Sequence, residues 1–198
     1  MLWKSLGIAC FALPCSAQSA TVRVSHDHAG ATVVPGESLR IVATVSWQGA
    51  LQWAGLKGDL LASGDLGQAA NVGSEVMPGI FVTLGAPAGG SVKGFDVASA
   101  PVSYFGPGFP PVPFANATGV EFLWFDWTAP PVTEPTEITF NFAADPIAPN
   151  VRLYPNPVLS PAFIEAPTTY IGTSILVIPA PVGLPILALA ALAPRRRR

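Results

Sequence analysis

Glu137-Ile138-Thr139-Phe140-Asn141-Phe142 alternates polar and apolar residues, with Ile138, Phe140 and Phe142 on one face. A period of two belongs to a β-strand with one buried side. Pro130-Pro131 and Pro135 lie just upstream and bound the turn that precedes it. Moving outward, the same signature recurs. Val22 and Val24 alternate with Arg23 and Ser25, and the run 39–45 follows the turn Pro35-Gly36. Residues 120–127 are nearly all apolar or aromatic, as in a strand covered on both faces. Further strands are predicted over 52–61, 79–84, 92–97, 151–154 and 168–176, and no stretch from 21 to 174 carries a clean helical stripe. Thirteen of the 22 prolines fall between Pro101 and Pro161. The loop 107–113 cannot be an interior strand, because proline lacks the ladder donor. The pattern predicts an all-β fold, an antiparallel β-sandwich of seven to nine strands.

The composition looks at first unlike a soluble domain. The 198 residues are 50% hydrophobic and only 11% charged, against about 25% charged in an average domain. Part of this excess sits at the two ends. At the N-terminus Lys4 is the only charge before Arg23, residues 6–13 are an apolar run, and Cys15-Ser16-Ala17 follows Pro14. A basic start, an apolar centre and a small-residue exit describe a secretory signal peptide over 1–20, with cleavage after Ala17 or Ala20. Its removal takes away Cys10 and Cys15, the chain's two cysteines. The mature chain then has no disulfide, thiol nucleophile or cysteine-bound zinc.

At the other end, 175–194 carries no charge and is followed by Arg195, Arg196, Arg197 and Arg198. Positive charge after an apolar segment stays on the cytoplasmic side, which puts the intervening domain across the membrane. Residues 182–193 make a clean hydrophobic helix of about 18 Å, short of the roughly 30 Å of a bilayer core. This predicts a transient anchor. The domain between the ends, 21–174, holds five basic and all twelve acidic residues, a net charge of 5 − 12 = −7. Such acidity disfavours nucleic acid as a partner.

The C-terminal layout resembles the PEP-CTERM type of sorting signal. The matching positions are Val177-Ile178-Pro179-Ala180-Pro181, then 182–193, then Arg195 to Arg198. The resemblance implies an exosortase-type sorting enzyme that cleaves near the proline motif in a Gram-negative bacterium making extracellular polysaccharide. Ala180 stands where the usual motif has glutamate, as in Pro-Ala variants. The implied route runs through signal peptidase and a brief hold at the inner membrane to the outer surface or extracellular matrix, with 175–198 as the sorting segment. Separately, Val34-Pro35-Gly36-Glu37-Ser38-Leu39-Arg40-Ile41 within residues 21–66 is similar to the opening turn and second strand of cohesin-like sandwiches. The tyrosine-aspartate-proline that often follows in cohesins is absent, so dockerin binding is not implied.

Signatures of catalysis are missing. There is no Gly-x-Ser-x-Gly elbow, His-Glu-x-x-His, phosphate loop or dinucleotide fingerprint, and no catalytic residue, cofactor or metal site is predicted. In His26-Asp27-His28 two imidazoles share one strand face, without a third ligand for zinc. Asp59 and Asp65 lie in the glycine-rich stretch Gly55 to Gly67, without the Asp-x-Asp-x-Asp spacing that would gather the six to eight oxygens calcium wants. Trp124-Phe125-Asp126-Trp127 places its two indoles on opposite faces of a strand, with Phe122 beside Trp124 on one of them. Glu121 and Asp126 are likewise set apart, so they make no glycosidase pair. The expectation is a non-catalytic exported protein. The alternative is a carbohydrate-binding or adhesion module using exposed Trp47, Trp53 or Trp127, and a secreted hydrolase ranks below both.

Overall fold

The alternation at 136–144 forms a strand in which Ile138, Phe140 and Phe142 are buried while Glu137, Asn141 and Ala143 face out. The structure, a computed structural model, describes residues 18–49, 51–74, 81–98, 119–155 and 162–180. Residues 1–17 of the expected signal peptide 1–20, the loop 107–113, Pro181 and the segments 182–193 and 195–198 lie outside these residues. Ala20, at the end of that expected leader, is a buried residue of the first strand and pairs with Trp47.

The strands, in chain order, are β1 (Ala20–His26), β2 (Thr32–Val33), β3 (Ser38–Trp47), β4 (Gln52–Ala62), β5 (Gln68–Gly73), β6 (Phe81–Ala88), β7 (Ser91–Ala98), β8 (Val120–Thr128), β9 (Thr136–Ala144), β10 (Val151–Tyr154), β11 (Ile164–Ala166), β12 (Thr168–Ile171) and β13 (Thr173–Val177). Nine of them (β1, β3 to β9 and β13) have five residues or more, and the shorter four lie along the edges of this frame or extend it. One sheet runs β12-β1-β3-β8-β5; the other runs β11-β10-β4-β9-β13-β2, with β7 and β6 added beside β4. The sheets pack face to face as a sandwich. Most pairings are antiparallel, but β1–β12 and β2–β13 are parallel.

The core between the sheets is aromatic and aliphatic. Trp53, Phe95, Phe122 and Phe142 form one ring cluster at centroid distances of 5.2–6.0 Å, and Trp127 meets Phe140 edge-on at 5.2 Å. Leu56 and Leu60 of β4, Ile41 of β3 and Leu153 of β10 are fully buried around them. A core of this size suffices to hold a domain without disulfides, since aromatic burial of 150–250 Å² per ring dominates such interiors.

Three local features depart from the sequence pattern. Residues 168–176 read as one strand, yet the chain switches sheets at Gly172, giving β12 to one and β13 to the other. A β-carbon at Gly172 would collide with the Asn141 side chain and come within 2.6 Å of the Phe140 carbonyl. Glycine is required at this crossing. The segment 68–73 carries no strand alternation, yet pairs with β8 through an irregular register between Ala70 and Gly73. Finally, Phe122 and Trp124 do not share a side. The β3–β8 register moves from Ala43↔Leu123 to Thr44↔Glu121, so Phe122 is an extra residue. Such a bulge lets two consecutive side chains, Phe122 and Leu123, enter the core.

The pairing also orients the ends. β1 and β12 run side by side in one direction, and β13 continues β12 without reversal. The chain therefore enters the sandwich beside Trp47, paired with Ala20, and leaves beside Val33, paired with Val177. These points lie at opposite ends of a body about 33 Å long, judging from the ten residues of β3. The turns 34–37, 63–67, 89–90 and 129–135 gather at the exit end.

Candidate functional site: an outer sheet face and the chain exit

Strand alternation sends every second residue of β1, β3, β8 and β5 to the outside of the five-stranded sheet. Register lines these up in rows: Ile171, Arg23, Thr44 and Glu121; then Ser25, Val42, Trp124 and Gly73; then Arg40, Asp126 and Ala70; then Ser38, Thr128 and Gln68. At the centre the Arg40 guanidinium sits 4.1 Å from the Trp124 ring and 3.4 Å from an Asp126 oxygen. The other Asp126 oxygen accepts from the Asn71 amide at 2.9 Å. Asn71 adopts a left-handed backbone (φ 51), as asparagine tolerates, and so reaches Asp126 across the irregular part of β5. Gly73 lies flat against the indole of Trp124, where a β-carbon would clash. Two cations and two carboxylates make this face neutral within a domain of net −7.

The residues singled out from sequence fall elsewhere. Trp47, Trp53 and Trp127 are 6%, 0% and 0% exposed. The Trp47 and Trp127 indoles donate to the carbonyls of Leu51 at 2.9 Å and Leu66 at 3.0 Å. None of the three presents a face to a sugar. The expectation of exposed tryptophans there is corrected by the two-sided burial of β4 and the inward phase of β3 and β8. Trp124 is the half-buried indole, under Arg40.

His26 and His28 part company. β1 ends at His26, and Asp27 turns back to accept from the Arg40 amide at 2.9 Å. His28 pairs with Glu37 at 3.0 Å and with the Gly30 backbone at 2.8 Å. The Gly30 carbonyl first, then Glu37, raises the His28 pKa; the Val34 amide and then His28 lower that of Glu37. Asp65 is held low by the hydroxyl of Ser91 and then by Lys93, which is 2.9 Å away. Ser91 is fully buried and also accepts from the Ala62 amide. It braces the 63–65 turn against β7 and has no histidine beside it. Asp59 accepts from the Gly94 amide at 2.7 Å. Asp145 pairs with Lys57 at 3.2 Å and is held low first by the Ile147 amide. Among the described residues no three His, Cys, Asp or Glu side chains come together as metal ligands. Glu121 and Asp126 were expected on opposite faces, but the bulge at Phe122 brings both to the outer face, opposite Thr44 and Arg40 and two rows apart.

The chain exit is defined by two backbone bonds. Leu176 donates to the Ala31 carbonyl at 2.7 Å and Ile178 to that of Val33 at 2.9 Å. Pro179 follows at once, without an N–H, so the ladder stops there. Ala180 is exposed. Among the described residues no helix is long and apolar enough to cross a membrane.

No family model matches the chain, and no curated protein does. Solved structures to which the chain is similar include type II cohesin modules. A chain of a CaDoc0917–CaCohA2 complex is 10% identical with a TM-score of 0.49, over 82% of this chain and 100% of that one. A type II cohesin domain from the cellulosome of Acetivibrio cellulolyticus is 11% identical with a TM-score of 0.47, over 80% and 95%. The second type II cohesin module of the ScaA scaffoldin from the same organism is 12% identical with a TM-score of 0.42, over 79% and 97%. The assignment of a two-sheet sandwich rests on the strand pairing of this chain itself.

Proposed function

We propose that this chain is an exported, non-catalytic β-sandwich that is held briefly at the inner membrane by its C-terminal segment and then processed by an exosortase-type enzyme. Signal peptidase removes the leader, and the domain ends at the outer surface or in the extracellular polysaccharide matrix. The observation that carries this reading is where the described ladder ends. Among the described residues the last ladder bond is made by the Ile178 amide, and Pro179-Ala180-Pro181 begins at the next residue in sequence. A processing enzyme would then meet its motif directly after the last paired residue, ahead in sequence of the apolar segment and the terminal arginines. Asp65, Asp126 and Asp145 are held in ion pairs with Lys93, Arg40 and Lys57, and Asp59 accepts from the Gly94 amide, which supports a structural role for these carboxylates.

Mass spectrometry of the mature protein from its host tests this. The expected product lacks Arg195 to Arg198 and ends near Pro179-Ala180-Pro181. An intact C-terminus with four arginines overturns the sorting role. Contact with the matrix falls to the neutral, hydroxyl-rich outer face around Trp124 rather than to Trp47, Trp53 or Trp127. Co-sedimentation with the host polysaccharide should weaken on Arg40→Ala while the thermal transition is retained; unchanged binding removes that face from the reading.

A further inference from the structure

Three large apolar side chains stay exposed at one end of the sandwich. Val34 is 47% exposed, Leu66 39% and Ile178 39%. Val34 opens the 34–37 turn, Leu66 follows the 63–65 turn, and Ile178 is bonded to Val33. A shallow depression lined by Pro35, Gly67, Ala129 and Pro131 joins the first two turns. Two other exposed apolar residues, Ile147 and Phe163, lie between β9 and β10 and ahead of β11, away from this end. Isolated apolar residues on a surface need no explanation; several gathered where the chain leaves the fold suggest a contact.

The rest of the chain indicates what covers them. Only Pro179-Ala180-Pro181 separates Ile178 from the uncharged stretch 182–193. Four steps of at most about 3.6 Å span about 14 Å, while one headgroup layer is about 5–8 Å thick. Fully extended, this leash lets the exit end rise only about 6–9 Å above the headgroup layer, so that end stays next to the membrane that holds the tail. We propose that the exit end, through Val34, Leu66 and Ile178, rests in the headgroup layer of a zwitterionic membrane while the chain is tethered. This rests on the reading of 182–193 as a membrane-inserted segment; the sorting segment expected from residue 175 begins later than that, because Ile175 and Val177 are buried in β13. Asp27, Glu37 and Glu134 rim the same end and disfavour an anionic surface. Docking would hold the proline motif at the depth where an integral membrane enzyme works. Once the tether is cut, three side chains are too small an anchor to keep the domain there, because stable attachment takes more than one weak signal.

The mature chain has no cysteine, so single labels can be placed cleanly. The full mature chain is reconstituted with phosphatidylcholine vesicles, carrying an environment-sensitive dye at Leu66→Cys, at Val34→Cys or, as a control, at Ile147→Cys. A quencher is attached to the lipid headgroups. The chain should float with the vesicles, and quenching at 34 and 66 should exceed that at 147 about twofold or more, less so with anionic lipid added. Flotation with equal quenching at all three positions overturns the docking but leaves the tether standing. Failure to float overturns the tether and the docking with it. Shielding at 34 and 66 without lipid quenching, accompanied by crosslinked dimers, assigns the patch to a second copy and overturns the proposal.

Discussion

The indole of Trp127 is enclosed by Phe140 edge-on, by Gly67 and Gly90 at its nitrogen end, and by the Leu66 carbonyl that its N–H bonds. Trp127→Ala should cost about 3–5 kcal/mol of stability in urea denaturation, as large aromatic deletions in cores do. Trp127→Phe should cost less, mainly through the Leu66 carbonyl left without its partner. Gly172→Ala should destabilise by about 1–3 kcal/mol, since the added methyl meets Asn141 and backbone that cannot retreat. By contrast Arg40→Met, at a half-exposed pair, should shift stability by no more than about 1 kcal/mol. The opposite facing of Trp124 and Trp127 was legible from their spacing alone. The inward turn of Phe122 was not, because the bulge that sets it exists only through pairing with β3, some eighty residues away. Nor could Trp47 and Trp53 be labelled inside or outside, since a lone tryptophan carries no face marker.

At the scale of elements, the long alternating strands were readable because each satisfies its own pattern: β1, β3 and β9 bury one face and expose the other. β5 was unreadable for the opposite reason. Gln68-Ala69-Ala70-Asn71-Val72-Gly73 has no stripe, and it is a strand only because β8 offers an edge. β2 is two residues long and still closes the ladder that β13 needs at the chain exit. So short a strand frays readily. In native-state hydrogen exchange the amides of Leu176 and Ile178 should exchange faster than those of Ile41 or Phe125 in the middle of the other sheet. Equal protection would mean that the exit is as firmly held as the core.

The whole molecule has a pH window set by a few exposed pairs. Glu37, Asp65 and Asp145 are held below the ordinary carboxylate range of 3.8–4.5, so their stabilising contribution is present above that range and lost as pH falls through the lower folded values. His28 is raised above 6.5, so its contribution is complete below that pH and lost as pH rises through the folded value. Urea midpoints should therefore be highest between 4.5 and 6.5. His28→Gln should flatten the alkaline side and leave the acid side largely intact. The amplitude will be small, because solvent screens these groups.

The parallel pairing of β1 with β12 has a mechanical consequence. The domain's two ends leave from opposite poles, so tension between an anchored C-terminus and a load at the other pole runs along the strands. From Ala20↔Thr168 to Arg23↔Ile171 the bonds of that pair would be sheared together instead of unzipped one by one. Single-molecule pulling through the two termini should meet a higher rupture force than pulling apart the β6–β7 hairpin from its open end.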